Sequence, residues 1–514
     1  MPAIAAALLI GLGWLVSLSR AGHLARPRAI AAARHHVPVA PPAPPRPAGP
    51  PLSSLHGAPV SVAVRAGSPG RAVPADFLGM SFEMSDLPHV ARYAGSGDLV
   101  TLMRALGPGV ARFGGVSADD RAAWSPNGGT LPRWARTAIS PSALAGIGRL
   151  ARETGWRVLV TLGLAHRDAR AGASEAAAAR HLIGAGLAGI EIGNEPDAYV
   201  AGGLRSPPWR FRRYQRQVAS YLRAIDRVAP GVRLAAPDVS SGEAPLGWVS
   251  AAAHRLRPAL LTDHYYPLTH CGAVPRLGAL GAEVVRDAQS TMISRLATIS
   301  RRAGIPLRLD ETNNVSCAGQ PGVSNAFASA LWAVDYGARV MTTRLAGLNF
   351  HDLIGSPHSY APLATDSRRD LSLGRLHAKP EWYALLLLHE LLGDRPVHAR
   401  VGAGHPELTA TAFLGPGHPG PRLDVVLDDF APPRARPLLV RLRVPRGYAS
   451  GTVLRLTAPS RASVRGVTLG GVAVAADGSW SPHLPLPAVS GGPGTLALRM
   501  AAGTAALVTL DAPS

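Results

Sequence analysis

Two glutamates in this chain sit where short apolar runs give way to loops. Glu195 closes GIEIGNEPD (Gly189 to Asp197), and Glu311 closes PLRLDETNN (Pro306 to Asn314). Two carboxyl groups about 5 Å apart can open an acetal in two steps: one attacks the anomeric carbon while the other protonates the departing oxygen and later activates water. That chemistry needs no metal or organic cofactor. Taken singly, either glutamate reads equally as a helix cap or a solvated loop charge. Their shared position, with Glu195 inside an Asn-Glu-Pro triplet, shifts the joint reading toward catalysis.

Such a pair needs a scaffold that gathers distant strand ends. Eight short apolar runs follow one another from residue 76: Phe77–Met84, Val110–Gly114, Val158–Leu164, Gly189–Gly193, Val232–Ala236, Leu260–Tyr265, Leu307–Glu311 and Gly347–Asp352. Segments with helical spacing separate them, among them Ser140–Thr154, Glu175–Gly186, Phe211–Val228, Val285–Ala303 and Asn325–Ala338. The alternation predicts an α/β fold, a (β/α)8 TIM barrel over residues 76–393, with its site among the loops at the C-terminal strand ends. An open doubly wound sheet would alternate similarly, but no glycine fingerprint for a dinucleotide or phosphate follows any run. After the last expected helix, Glu381–Leu392, the texture changes to short alternating runs such as LTATAFL, RLDVVLDDF and TAALVTLDA, broken by Gly, Pro, Asp and Ser. These predict a C-terminal β-sandwich over 394–514. The isolated run Pro59–Arg65, within segment 58–75, is expected to add an N-terminal strand to it.

At 514 residues, 47% hydrophobic and 17% charged, the chain suits two folded units plus a tail and is too apolar for wholesale disorder. Its formal charge is +20, almost all of the positive part arginine, with Lys379 the only lysine. That balance attracts acidic polysaccharide, nucleic acid or anionic membranes, although an arginine, alanine, glycine and proline excess also fits a coding bias. No arginine/aromatic repeat or helix-turn-helix signal accompanies the charge, which argues against specific nucleic-acid binding. Residues 1–19 form an apolar stretch that reads as a signal sequence or a membrane anchor. Residues 20–57 read as a Pro-rich linker, so the protein is expected to be secreted or held in the periplasm or cell envelope. Cys271 and Cys317 each lie just beyond an expected barrel strand and can pair across adjacent loops, a bond an exported protein would keep. Two unrelated buried thiols is the other reading. No Cys/His spacing argues for a structural metal.

As an ordered set, the motifs resemble glycoside hydrolase family 79, which contains heparanase and microbial β-glucuronidases, within the clan of retaining (β/α)8 glycosidases. GIEIGNEPD is similar to that family's acid/base strand and LDETN (Leu309–Asn313) to its nucleophile strand. FLGMSFEM (Phe77–Met84), ARFGG (Ala111–Gly115), HYYP (His264–Pro267) and the region around Tyr360 match as well, so the resemblance spans residues 58–514. Asn-Glu-Pro alone marks only the clan. The resemblance implies Glu195 as acid/base with a raised pKa and Glu311 as an ionised nucleophile. Asn194 would donate to the sugar 2-hydroxyl or else satisfy local backbone. Tyr265 would bond Glu311 or the sugar carboxylate while Tyr266 turns to the barrel wall, since adjacent strand residues face opposite ways. Glu83 would hold sugar hydroxyls or serve structure, and Asp119 would line the same subsite or be a loop charge. His264 and His351 would position a glutamate or pack in the core. Tyr360 and amides of GSPHSYAPL (Gly355–Leu363) would receive a glucuronic acid carboxylate, with Arg344 and the arginines around Arg368 helping along an acidic polymer. The implied activity is that of a retaining β-glucuronidase acting on β-linked glucuronic acid in glycans or glycoconjugates. A heparanase-like endo-enzyme, an α-L-arabinofuranosidase, a β-xylosidase and a non-catalytic carbohydrate-binding protein are the alternatives.

Overall fold

The computed structural model describes residues 50, 54–417 and 420–512. The apolar run 1–19 and most of the expected linker 20–57 lie outside these residues. Among those described, no helix is long and apolar enough to cross a membrane.

Eight parallel strands form the central sheet: β1 (Leu78–Glu83), β2 (Val110–Gly114), β3 (Arg157–Leu162), β4 (Leu187–Ile192), β5 (Ala235–Val239), β6 (Leu260–Tyr265), β7 (Leu307–Thr312) and β8 (Gly347–Asp352). Their order is β4-β3-β2-β1-β8-β7-β6-β5, and a bridge between Ile190 and Leu234 closes the ring. Helices follow the strands because their apolar residues recur every three or four positions. In Phe211–Val228 the buried set is Phe211, Tyr214, Val218, Tyr221 and Ile225, with arginines on the outer side. This is the expected (β/α)8 barrel. One strand differs in place: β5 starts at Ala235 rather than Val232. Pro237 reads as a strand breaker because it has no N–H to give the ladder. Here it sits where the pairing of β5 with β6 shifts register, so no ladder bond is lost to it.

The remaining strands build a ten-stranded sheet that includes the early strand Ala58–Arg65, as expected. That strand pairs antiparallel with Arg395–Val401 and parallel with Leu438–Arg443. The sheet folds over one apolar core, in which Val60, Val62 and Val64 meet Val425, Leu427, Leu498 and Val508. Alternate residues of the strands nearest the barrel, including Phe413, Val426 and Leu507, face the other way and join the barrel's core. Helix Phe327–Met341 is buried along nearly its whole length between the two layers. Its first free N–H groups, on Phe327 and Ala328, donate at 2.8 Å to the carbonyls of Ser463 and Arg461 from the sandwich. The sandwich is therefore part of the barrel's outer wall.

Candidate active site

The C-terminal mouth of the barrel is organised around one buried cation. Arg112 on β2 has no solvent exposure, and its guanidinium serves four neighbouring strand ends. Nη1 donates to Glu311 Oε2 at 2.6 Å and to Ser81 Oγ at 3.1 Å. Nη2 donates to Asn194 Oδ1 at 2.8 Å and to Asp238 Oδ2 at 2.9 Å, while Nε reaches Glu191 Oε2 at 3.0 Å. Gly114, two residues on, leaves the room this side chain needs, because a Cβ there would collide with the guanidinium. A charge this deep is tolerated only when paired and hydrogen-bonded on every side.

Glu311 is aimed by a β-bulge. In the pairing of β7 with β6, Leu309 opposes Asp263 and Glu311 opposes His264, so Asp310 is an extra residue. Asp310 and Glu311 are consequently both buried, against the usual alternation. Glu195 arrives differently. Gly193 turns the chain out of β4 with φ +83°, where a Cβ would press on the Tyr199 hydroxyl and on Leu164. Glu195 itself is left-handed at φ 46°, a conformation costing a non-glycine residue about 1–2 kcal/mol. Its amide is held by the Asp238 carbonyl at 2.8 Å, and Asp238 is also left-handed, at φ 59°.

Carboxyl oxygens of Glu195 and Glu311 lie within 4.8 Å of each other and of a His264 ring nitrogen. Their environments push them apart. Burial raises the Glu195 pKa, and the nearby Glu311 charge adds to the rise against the opposing pull of His264. Burial would also raise Glu311, but the charges of His351, His264 and Arg112 and a hydrogen bond from Tyr266 outweigh it and hold this carboxyl well below the usual range. The pair can therefore present one protonated acid and one carboxylate at the same pH.

His264 links the two halves, with Nδ1 3.0 Å from Glu195 Oε1 and Nε2 2.8 Å from Asp238 Oδ1. Burial works against its charge, but Glu311 and Asp238 raise its pKa well above the ordinary value. Asp238, His264 and Asp310 also cluster at ligand-like spacing. Both ring nitrogens of His264 are already engaged by carboxylates, which fixes the ring between Glu195 and Asp238.

The cavity in front of the pair has a volume of about 680 Å³ and is lined by Glu83, Asn194, Tyr266, His351 and Tyr360 as well as both glutamates. Asn194 accepts from Arg112 through its carbonyl oxygen, which leaves its amide N–H groups to face the cavity. Glu83 accepts from the Ser117 amide at 2.9 Å and lies 3.5 Å from His351 Nε2. His351 Nδ1 is 3.6 Å from Glu311 Oε2, so this histidine spans both acids. Cys271 and Cys317 are bonded, with Cα atoms 5.8 Å apart, and Cys317 is part of the cavity wall.

Several expected placements need correction. Tyr266, not Tyr265, meets Glu311: its hydroxyl donates to Oε1 at 2.9 Å. Tyr265 stacks on Tyr336 of helix Phe327–Met341, with ring centroids 5.8 Å apart, outside the barrel. His264 points inward to Glu195, and residues two apart share a face, so Tyr266 and not Tyr265 turns to the site. Asp119 does not line the cavity. It is 1% exposed, and its carboxylate accepts from the amides of Leu164, Ala165 and Asn194 and from the Tyr199 hydroxyl, which pins the loops after β3 and β4. Arg344 precedes β8 and so lies at the opposite end of the barrel, and Arg368 is exposed on a short helix away from the cavity. Arg112 and Asp238, the groups that tie the site together, were not singled out from sequence. Arg112 carries one signal, a charge at the centre of the otherwise apolar strand run Val110–Gly114. Asp238 carries no such signal.

No family model matches the chain. It is 28% identical over 209 residues to a β-glucuronidase of Aspergillus niger, a match covering 36% of this chain and 37% of that protein. It is 23% identical over 274 residues to a β-glucuronidase of Neurospora crassa, covering 46% of each. The matched part is thus less than half the length of either curated relative. Among solved structures it resembles a 4-O-α-L-rhamnosyl-β-D-glucuronidase from Fusarium oxysporum, with TM-score 0.70 and 18% identity over 88% of this chain and 100% of that one. A family 51 arabinofuranosidase from Xanthomonas axonopodis gives TM-score 0.62 and 15% identity at the same coverage. The chain carries a (β/α)8 barrel with an appended β-sandwich, the fold shared by these glycosidases.

Proposed function

We propose that this protein is a retaining glycoside hydrolase that releases β-linked glucuronic acid from glycans or glycoconjugates by double displacement. The observation that carries the reading is the carboxyl pair within 4.8 Å, with Glu195 pushed up and Glu311 pushed down. Inverting enzymes separate their carboxyl groups by about 6.5–9.5 Å to admit a water, whereas retaining ones keep them about 5 Å apart. On this reading Glu311 attacks the anomeric carbon as Glu195 protonates the leaving oxygen. The Glu195 carboxylate then takes a proton from water as that water displaces Glu311. Asn194 would donate to the 2-hydroxyl, and Glu83 would accept from sugar hydroxyls.

A glucuronide carboxylate would have donors near Tyr360. The loop after β7 turns through left-handed Cys317 and Ala318, at φ 61° and 65°, and both residues line the cavity. Ser359 donates to the Ala318 carbonyl, which joins this loop to the one bearing Tyr360. Backbone amides and a tyrosine hydroxyl can bind a carboxylate without an arginine. The two curated β-glucuronidase relatives support the same substrate class. The Cys271–Cys317 bond supports export to an oxidising compartment.

A pentose-removing activity, as in an arabinofuranosidase or β-xylosidase, is the second reading, because no lysine or arginine lines the cavity among the described residues. A panel of 4-nitrophenyl β-glucuronide, β-glucoside, β-xyloside and α-L-arabinofuranoside decides between them. The glucuronide should give the highest kcat/KM, and a preference for either pentoside would replace the substrate assignment. Tyr266→Phe removes a hydrogen bond to a charged acceptor, worth about 1.5–3 kcal/mol, so kcat should fall roughly 10- to 100-fold. Tyr265→Phe should leave kcat almost unchanged. Equal losses in the two variants would contradict the assigned parity.

A further inference from the structure

The four adjacent sandwich strands Arg395–Val401, Ala58–Arg65, Leu438–Arg443 and Thr495–Met500 bury one face and expose the other. Their inward residues, such as Val62, Val440, Leu442 and Leu498, fill the sandwich core. The outward residues are set by the same period of two. Register places Arg400 and Arg443 on either side of Ala63, Arg441 beside Ser61 and Ala497, and Arg65 beside His398. Arg499 lies one row away, opposite Leu439. All five arginines are exposed, and none makes an ion pair with any described residue. The four strands contain no aspartate or glutamate.

Like charges on one sheet face repel one another, so five arginines at neighbouring register positions are an electrostatic cost without a protein partner. The small residues Ser61, Ala63 and Ala497 between them leave a flat bed with cationic posts. From this geometry we infer that the outer face of the sandwich is a docking surface for an anionic polysaccharide, one carrying carboxylate or sulfate groups along its length. The face has no aromatic side chain on which bases could stack, as single-stranded nucleic acid sites have, and no protruding helix or ribbon to enter a duplex groove. Its one large aliphatic side chain, Leu439, is half-buried, so the face offers little of the apolar surface with which a membrane-surface element inserts. What it offers is spaced positive charge over a shallow surface, the complement of a flexible acidic glycan. The inference extends the proposed function by making the polymer that holds the enzyme an acidic glycan like its substrate, but binding at this face does not require turnover.

The test uses the full chain and fluorescein-labelled heparin, with duplex DNA of equal charge and phosphatidylserine vesicles as competing probes. Arg400→Ser/Arg441→Ser/Arg443→Ser should weaken heparin binding at least about tenfold and flatten its dependence on salt, because fewer counterions are released. Turnover of 4-nitrophenyl β-glucuronide should stay as in the parent, which also reports correct folding. The corresponding triple lysine variant keeps the charge and should keep most of the heparin affinity. Unchanged heparin binding in the serine variant would overturn the inference. So would DNA or vesicles binding as tightly as heparin at equal salt and losing affinity in the same variant. If the parent binds heparin at this face but turns over no glucuronide, the proposed activity fails while the docking surface stands.

Discussion

Glu311→Gln should abolish turnover of every glycoside the protein accepts, with kcat falling at least about 10⁴-fold. The amide is nearly the same size as the carboxylate; its oxygen can still accept from Arg112 while its NH2 donates to the Tyr266 hydroxyl oxygen, which reverses that one hydrogen bond. It cannot form a glycosyl ester, so loss of the nucleophile is separated from loss of the scaffold. Substitution by alanine goes further, since it opens space beside the anomeric carbon. Added azide should then react directly with an activated glycoside and yield the azide of inverted configuration. A variant that binds its substrate as the parent does yet keeps more than about 1% of the parent's kcat would remove Glu311 from the proposed mechanism.

Glu195 should produce a different and more conditional defect. General acid and base assistance contributes about 10²- to 10⁴-fold, so Glu195→Gln should lose that much on glycosides with poor leaving groups. On glycosides whose leaving group needs no proton, the first step should survive and the second should become limiting, with the glycosyl-enzyme accumulating as a burst. In Glu195→Ala, azide should restore turnover and give the azide of retained configuration, opposite to the Glu311 case. The pH profile supplies a second readout. The acid form of Glu195 is required, its pKa is raised by burial and by Glu311, and activity is lost as pH rises through it. The carboxylate form of Glu311 is required, its pKa is held low by His351, His264 and Arg112, and activity is lost only as pH falls well into the acid range. Glu195→Gln should erase the alkaline limb of kcat/KM and leave the acid limb in place. An alkaline limb that persists unchanged would assign it to another group.

Much of this architecture is legible in the chain because barrel strands, buried on both faces, leave short apolar runs at regular intervals. Glu195 and Glu311 stand out for the same reason, as acids placed where such runs end. Details governed by local geometry were harder to read. The extra residue Asp310 breaks the period of two just before Glu311, and nothing in LRLDET announces a bulge. Choosing between Tyr265 and Tyr266 required knowing that His264 faces inward, which depends on its contacts with Glu195 and Asp238 across two other strands. Asp119 reads from sequence as a subsite acid or a loop charge, because its partners, backbone amides and the Tyr199 hydroxyl, come from loops far along the chain. Asp238 is the clearest case: a left-handed residue after a proline resembles a turn, yet it anchors Arg112 and His264 together. Sequence patterns report burial and periodicity well, and report poorly on which buried charges meet.

The most direct measurement follows the anomeric proton of released sugar by NMR within the first minutes of hydrolysis of an aryl β-glucuronide, before mutarotation equilibrates the product. Two successive displacements at one carbon, by Glu311 and then by water, predict the β-anomer as the first product. First appearance of the α-anomer would mean a single displacement, which two carboxyl groups with oxygens within 4.8 Å of each other leave little room for, and would contradict the assigned chemistry.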